Sequence, residues 1–251
     1  GANPMDIGRL WQRAEHLLDD PVLVVRAEAA LALAPAQAAG LRQADQQRLD
    51  AAASDYVATQ MVNADTPEAL TNLGGFFATV GDDQNAELAF QHALTTDGEW
   101  LPALVNLADF YRTRGRDDEG AVLLRRAISL VPDNAEARYA YGLLLTRRNE
   151  IEDALAQFEQ AAVLRPGNAR FTYVYGVALN SAGRSDDAVT VLEDGLLRFP
   201  TDADILFALV TMQRDRGNIE SALEYAHRLQ QLRPMDQNVR SLVQQLSGAG
   251  S

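Results

Sequence analysis

The side chains that could do chemistry are few and scattered. His16, His92 and His227 stand far apart, and no two histidines are four residues apart, as a helical metal site would need. The chain has no cysteine, which excludes disulfides, thiolate metal sites and cysteine nucleophiles. It carries no glycine-rich phosphate loop and no nucleophile elbow. Asp82-Asp83, Asp117-Asp118 and Asp186-Asp187 place carboxylates side by side, as a divalent-cation site or an acid–base couple would. Each pair, however, follows a turn glycine (Gly81, Gly115 or Gly183) and opens a helical segment. Carboxylates there accept hydrogen bonds from free amides and oppose the helix dipole. The expectation is a chain without catalysis, cofactor or metal.

A 34-residue period positions these residues. Stepping from Gly74 gives Gly74, Ala108, Gly142, Gly176 and Val210; from Gly81 it gives Gly81, Gly115, Asn149, Gly183 and Gly217; from Ala86 it gives Ala86, Gly120, Ala154, Ala188 and Ala222. Residues 135–168 show one copy. Tyr141, Gly142 and Leu145 mark one helix face, and Asn149 tolerates the left-handed turn. Ala154, Phe158 and Ala161 mark a second helix, and Pro166 stops it. The stop recurs at Pro132, Pro166, Pro200 and Pro234, and the next cap at Asn134, Asn168, Asp202 and Asp236. One helix pair cannot bury its apolar face alone, so pairs must stack.

These positions resemble the tetratricopeptide repeat (TPR) family. The pattern is met at Leu73, Gly74, Phe77, Ala86, Phe90 and Ala93; at Leu107, Ala108, Tyr111, Leu124, Ala127 and Pro132; and at Tyr141, Gly142, Leu145, Ala154, Phe158, Ala161 and Pro166. It continues at Tyr175, Gly176, Leu179, Ala188, Leu192 and Pro200, and more loosely at Leu209, Ala222 and Pro234. The family's frequent aromatic at the fourth position is absent, and Gly98 replaces the first stop proline. The resemblance implies an all-α, right-handed α-solenoid of antiparallel helix pairs, a TPR superhelix. Its five repeats span 67–100, 101–134, 135–168, 169–202 and 203–236.

Around residues 67–236, segment 237–251 reads as a capping helix and tail, and 45–66 as a half repeat with Tyr56 in phase with Phe90. Residues 6–44 read as a helical hairpin; Asp20-Pro21, Val25-Arg26, Ala29, Ala30 and Ala32 resemble a HEAT repeat, with a plain hairpin as the alternative. Residues 1–5 read as tag remnant and disorder. Pro102–Arg112 and Asn168–Arg184 are also similar to the TPR region of bacterial proteins that carry a multihaem cytochrome c domain. That resemblance implies a haem-carrying domain elsewhere in a parent protein and a periplasmic location; without it, the expectation is cytoplasmic.

Net charge is −13, and all 22 basic residues are arginine. The acidity argues against nucleic acid and anionic membranes as partners. No apolar run approaches the roughly 20 residues of a membrane span. The TPR resemblance implies that first helices line a concave groove. Position five then reads Thr71, Val105, Tyr139, Tyr173 and Phe207, and position six offers Asn72 and Asn106. Asp109, Arg112, Thr146, Arg147, Asn180 and Arg214 add polar groups. Tyr139, Tyr173 and Phe207 either anchor a ligand or tighten the stack. Arg112, Arg114, Arg147, Arg148, Arg214 and Arg216 either neutralise helix ends or form a basic rim for an acidic peptide. Thr71, Gly75 and Glu136 stand where chaperone-binding TPRs place clamp lysines, so chaperone tails are not expected ligands. The expected function is a non-catalytic scaffold that binds an extended peptide or partner helix. The alternative is a self-associating arm, or one docked on a multihaem domain.

Overall fold

The computed structural model of the chain describes residues 4–249, and no strand occurs among them. The α-helices are α1 (Pro4–Ala14), α2 (Leu23–Leu33), α3 (Gln43–Met61), α4 (Pro67–Val80), α5 (Asp83–Thr96), α6 (Leu101–Thr113) and α7 (Asp117–Leu130). They continue as α8 (Ala135–Arg147), α9 (Ile151–Leu164), α10 (Ala169–Ser181), α11 (Ser185–Arg198), α12 (Ala203–Asp215), α13 (Ile219–Leu232) and α14 (Gln237–Ala249). They fall into two compact units, Gly1–Leu130 and Val131–Ser251. In the first, α2 packs on α3, α4 on α5 and α6 on α7, with α5–α6 and α4–α6 joining successive pairs. In the second, α8–α9, α10–α11 and α12–α13 pair, joined by α9–α10, α11–α12 and α13–α14. Helix pairs packed on their sequence neighbours make an α-solenoid.

Local chemistry sets the helix ends. Side chains cap the first helices: Thr66 Oγ1 accepts from Ala69 N at 3.3 Å, Asn134 Oδ1 from Ala137 N at 2.7 Å and Asn168 Oδ1 from Arg170 N at 3.1 Å. Asp202 Oδ1 accepts from Ile205 N at 2.9 Å, and Asp236 Oδ1 from Asn238 N at 2.9 Å. The turn between helices of a pair needs a left-handed residue. Gly81, Gly115, Gly183 and Gly217 supply it, and Asn149 does so at φ 61°.

Close approach within a pair requires a missing side chain. A Cβ added at Gly142 would lie 2.6 Å from the Phe158 ring, and one at Gly176 would lie 2.6 Å from Leu192. Phe158 and Leu192 are buried, so neither can yield cheaply.

The N-terminal region departs from expectation. Residues 1–3 lie outside the described residues, but Pro4 and Met5 belong to α1 rather than to a disordered leader. The segment read as a half repeat is not alone. α3 packs on α2, and Ala27, Ala30, Leu33, Leu49, Ala52 and Tyr56 share one core. A 3-10 helix, Ala34–Ala39, and left-handed Gly40 lengthen the connection between them. Tyr56 also meets Phe76 of α4, centroids 4.8 Å apart. Arg48 fixes the preceding turn by donating to Asp19 Oδ2 at 2.7 Å and to the Glu15 carbonyl at 2.7 Å. At the other end α14 buries Val239, Val243 and Leu246; residues 250–251 of the expected tail lie outside the described residues.

Ion pairs tie neighbouring repeats. Arg116 Nη1 donates to Glu87 Oε2 at 2.7 Å, and the Tyr111 hydroxyl donates to Glu87 Oε1 at 2.8 Å. Arg116 lies over the Tyr111 ring, 4.0 Å from its centroid. These donors, Arg116 first, hold the Glu87 carboxyl below its ordinary range.

Two substitutions test this packing. Gly142→Leu should destabilise the chain by about 1–3 kcal/mol through overpacking. Because contacts are local, lost hydrogen-exchange protection should centre on α8–α9 and fade beyond adjacent helices; uniform loss would contradict the packing described. Thr172 is 1% exposed and its hydroxyl has no hydrogen-bond partner. Thr172→Val keeps the shape and removes an unsatisfied buried oxygen, so urea titration should show a gain of about 1 kcal/mol. A loss of stability would mean that the hydroxyl is satisfied.

Candidate functional site

The scattered chemistry of the sequence stays scattered in space. His16, His92 and His227 are exposed, on the 3-10 helix Glu15–Asp19, on α5 and on α13. Among the described residues no group of three or more His, Cys, Asp or Glu side chains could hold a metal ion, and no helix is long and apolar enough to cross a membrane. The acidic pairs open helices. Asp82 Oδ1 accepts from Asn85 N at 3.2 Å, and Asp83 and Asp186 pair with Arg114 and Arg216. Arg114 lowers the Asp83 carboxyl, and burial followed by the bond to Glu193 raises the Tyr225 phenol. These shifts accompany structural pairs rather than a reacting centre.

The candidate ligand-facing residues lie on the first helix of each pair. In the first unit Asn72 and Asn106 are exposed on α4 and α6, and the Asn72 amide donates to Gln60 Oε1 at 3.3 Å. Asp109 and Arg112 satisfy each other at 2.7 Å. Beside them an opening of about 340 Å3 separates α4 from α6, lined by Gly75, Asn106, Asp109, Phe110 and Arg114. Thr71, at a position of the family's clamp, is buried; its hydroxyl donates to the Pro67 carbonyl and accepts from Trp100 Nε1 at 3.1 Å.

In the second unit the three in-phase aromatics have different fates. Tyr139 stacks on Phe171 of α10, centroids 4.9 Å apart, and its hydroxyl accepts from Arg170 Nε at 3.0 Å. It therefore tightens the stack. Tyr173 is half-buried against the core of α10–α12. Phe207 is 51% exposed and borders an opening of about 550 Å3 between α12 and α14, with Leu229, Val239 and Leu242 beside it. Arg147 is exposed at the end of α8. Asn180 Oδ1 accepts from Ser185 Oγ at 2.8 Å.

Five of the six arginines considered for a basic rim pair with carboxylates. Arg112 pairs with Asp109, Arg148 with Glu150, Arg214 with Asp215, Arg114 with Asp83 and Arg216 with Asp186. Their charge serves neighbouring carboxylates in turns and adjacent repeats.

A third opening, about 200 Å3, lies between α8 and α10, lined by Leu143, Leu155, Phe158, Val174, Val177 and Ala178 among others. No residue lining it is ionisable. Thr146 and Ser181 at its edge donate to the carbonyls of Gly142 and Val177, both at 2.9 Å, so their hydroxyls are already satisfied. Of the groove residues expected from the sequence, Thr146 lines this opening. The signal that could have found it is the tenth position of the period, which reads Phe76, Phe110, Leu144, Ala178 and Met212.

Comparison with known proteins bears on the fold. The tetratricopeptide repeat family matches residues 101–144, 145–206 and 181–236. No curated protein matches the chain. Among solved structures, MamA is 21% identical, covering 67% of this chain and 92% of its own, at a TM-score of 0.57. YrrB, described as a TPR protein with an unusual peptide-binding site, is 19% identical, covering 72% and 93%, at 0.54. A thermophilic TPR protein of Thermus thermophilus is 19% identical, covering 72% and 98%, at 0.55. At such identities the likeness is one of fold. Residues 101–236 of this α-solenoid are tetratricopeptide repeats.

Proposed function

We propose that the chain is a non-catalytic interaction scaffold whose first-helix face binds an extended peptide or a partner helix. One observation carries this: the openings described lie between successive first helices, at α4–α6 in one unit and at α8–α10 and α12–α14 in the other. Their linings combine apolar side chains with a few polar groups, as binding clefts do. The structural neighbour YrrB, named for a peptide-binding site, adds support by analogy of fold. The acidic chain favours a partner that is not itself strongly acidic.

A second reading is self-association. Val22, Leu23, Val24 and Leu31 are exposed at and along α2. Light scattering across concentration separates the two readings: a concentration-independent monomer would remove self-association from consideration.

The aromatic residues test ligand binding. Phe207→Ala should change the melting temperature little, because the ring is half exposed, yet weaken a ligand of this face by about 2 kcal/mol. Tyr139→Ala removes the stack on Phe171 and should lower the melting temperature, with any binding loss tracking stability. The measurement is a melting curve beside a binding isotherm, for the partner that affinity capture with the intact chain followed by mass spectrometry identifies. Unchanged affinity in Phe207→Ala would remove the α12–α14 opening from the binding face.

A further inference from the structure

The α8–α10 opening runs deeper than its counterpart at α4–α6: beside Ala178 it reaches Ile151, Ala154, Leu155 and Phe158 of α9, whereas beside Phe110 the counterpart reaches only Phe90 of α5. At the tenth position of the repeat, Phe76, Phe110, Leu144 and Met212 are all buried, Phe76 against Tyr56 and Phe110 against Phe90 of the preceding helix pair. Ala178 occupies the same position in α10 and fills nothing beyond its methyl group. Backbone approach is close between α4 and α6 and between α10 and α12, but sparser between α8 and α10. What remains is an opening of about 200 Å3 with an apolar lining, no ionisable group and edge hydroxyls bonded within their own helices. An apolar cavity of about 150 Å3 accommodates a benzene ring. The space therefore fits one large apolar side chain.

We propose that this opening is a docking socket for a single leucine, methionine or phenylalanine side chain of a different polypeptide. The partner's side chain packs beside Phe158 of α9 and Ala178 of α10, as Phe110 of α6 packs beside Phe90 of α5. The choice of occupant follows from complementarity: a charged or polar anchor would lose its hydration against a lining that offers no compensating partner. Negative charge is also sparser on the first helices of this unit than on the second. Helices α9, α11 and α13 carry nine carboxylates against two arginines, whereas α8, α10, α12 and α14 carry three carboxylates against five arginines. The proposal deepens the scaffold reading and rests on it for the polypeptide nature of the partner.

The test fills the socket from within. Ala178→Leu restores the residue class of the sibling repeats and should leave the melting temperature unchanged or raised. Should it fall, Ala178→Met, which copies the residue type of Met212, replaces it. Short random peptides displayed on phage are selected against the intact wild-type chain. The enriched peptides should share a leucine, methionine or phenylalanine and should bind the filled variant about ten-fold more weakly, the loss of one anchor. Equal binding to both proteins would overturn the socket while leaving the scaffold reading intact. Self-association of the chain that Ala178→Leu abolishes would also overturn it, in favour of a second copy as occupant. If no peptide is enriched, N-acetyl-phenylalanine amide and N-acetyl-glutamine amide are titrated with amide NMR detection. Saturable shifts confined to α8–α10, seen for phenylalanine alone and lost in the filled variant, support the socket independently of the scaffold reading. Absence of shifts in the wild-type chain up to the solubility limit overturns it.

Discussion

The contact on which the fold depends is the one between a first-helix backbone and a second-helix side chain. In three repeats a glycine lies directly on a ring or branched chain: Gly74 on Phe90, Gly142 on Phe158 and Gly176 on Leu192, each with no room for a Cβ. Where the first residue is Ala108 the chain remains small, and Ala108 is fully buried. This approach sets the spacing within a pair and so the footprint each pair presents to the next. Caps and left-handed turns then follow as local requirements of two helices of fixed length laid side by side. A larger residue at Gly142 or Gly176 would meet Phe158 or Leu192 and disturb the neighbouring pair, which rests on the same two helices.

The charges follow from that spacing. Arg114 reaches Asp83, Arg116 reaches Glu87 and Arg216 reaches Asp186, at separations of 29 to 31 residues. Each is one repeat less about one helical turn, the offset that puts two residues on adjacent pairs at similar height. Partly exposed pairs contribute little singly, typically below about 1 kcal/mol. Their effect is on register: they fasten one pair to its neighbour and consume arginines that would otherwise form a basic surface. The positions of these arginines were legible in the sequence, but their carboxylate partners, a repeat away, were not.

What the sequence disclosed was whatever depends on one repeat alone. The proline stop, the caps at Asn134 and Asp202 and the left-handed Asn149 are each a property of residues within a turn of one another, and the helix pair is a property of residues within one period. What it concealed depends on the neighbouring repeat. Tyr139, Tyr173 and Phe207 share a position, yet their environments are decided 32 residues onward by Phe171, Ile205 and Val239. An aromatic there gives Tyr139 a stacking partner, whereas Val239 lines the opening beside Phe207. The pairing of α2 with α3 was hidden for a related reason: the insertion of Ala34–Ala39 and Gly40 breaks the period that would have revealed it.

Departures from a repeat are more informative about binding than agreement with it. Residues that obey the period are explained by packing, which every repeat needs. A residue that breaks it without lowering the order of its surroundings requires a different account. Val210 breaks the small-residue rule but is fully buried, so packing absorbs it. Ala178 breaks the bulky-residue rule and leaves accessible apolar space, with Phe158 and Leu155 in its lining. Such a gap forgoes the dispersion contacts that a leucine would make there at no backbone cost. On the socket proposal those contacts are supplied by another molecule, whose side chain packs between the third and fourth repeats.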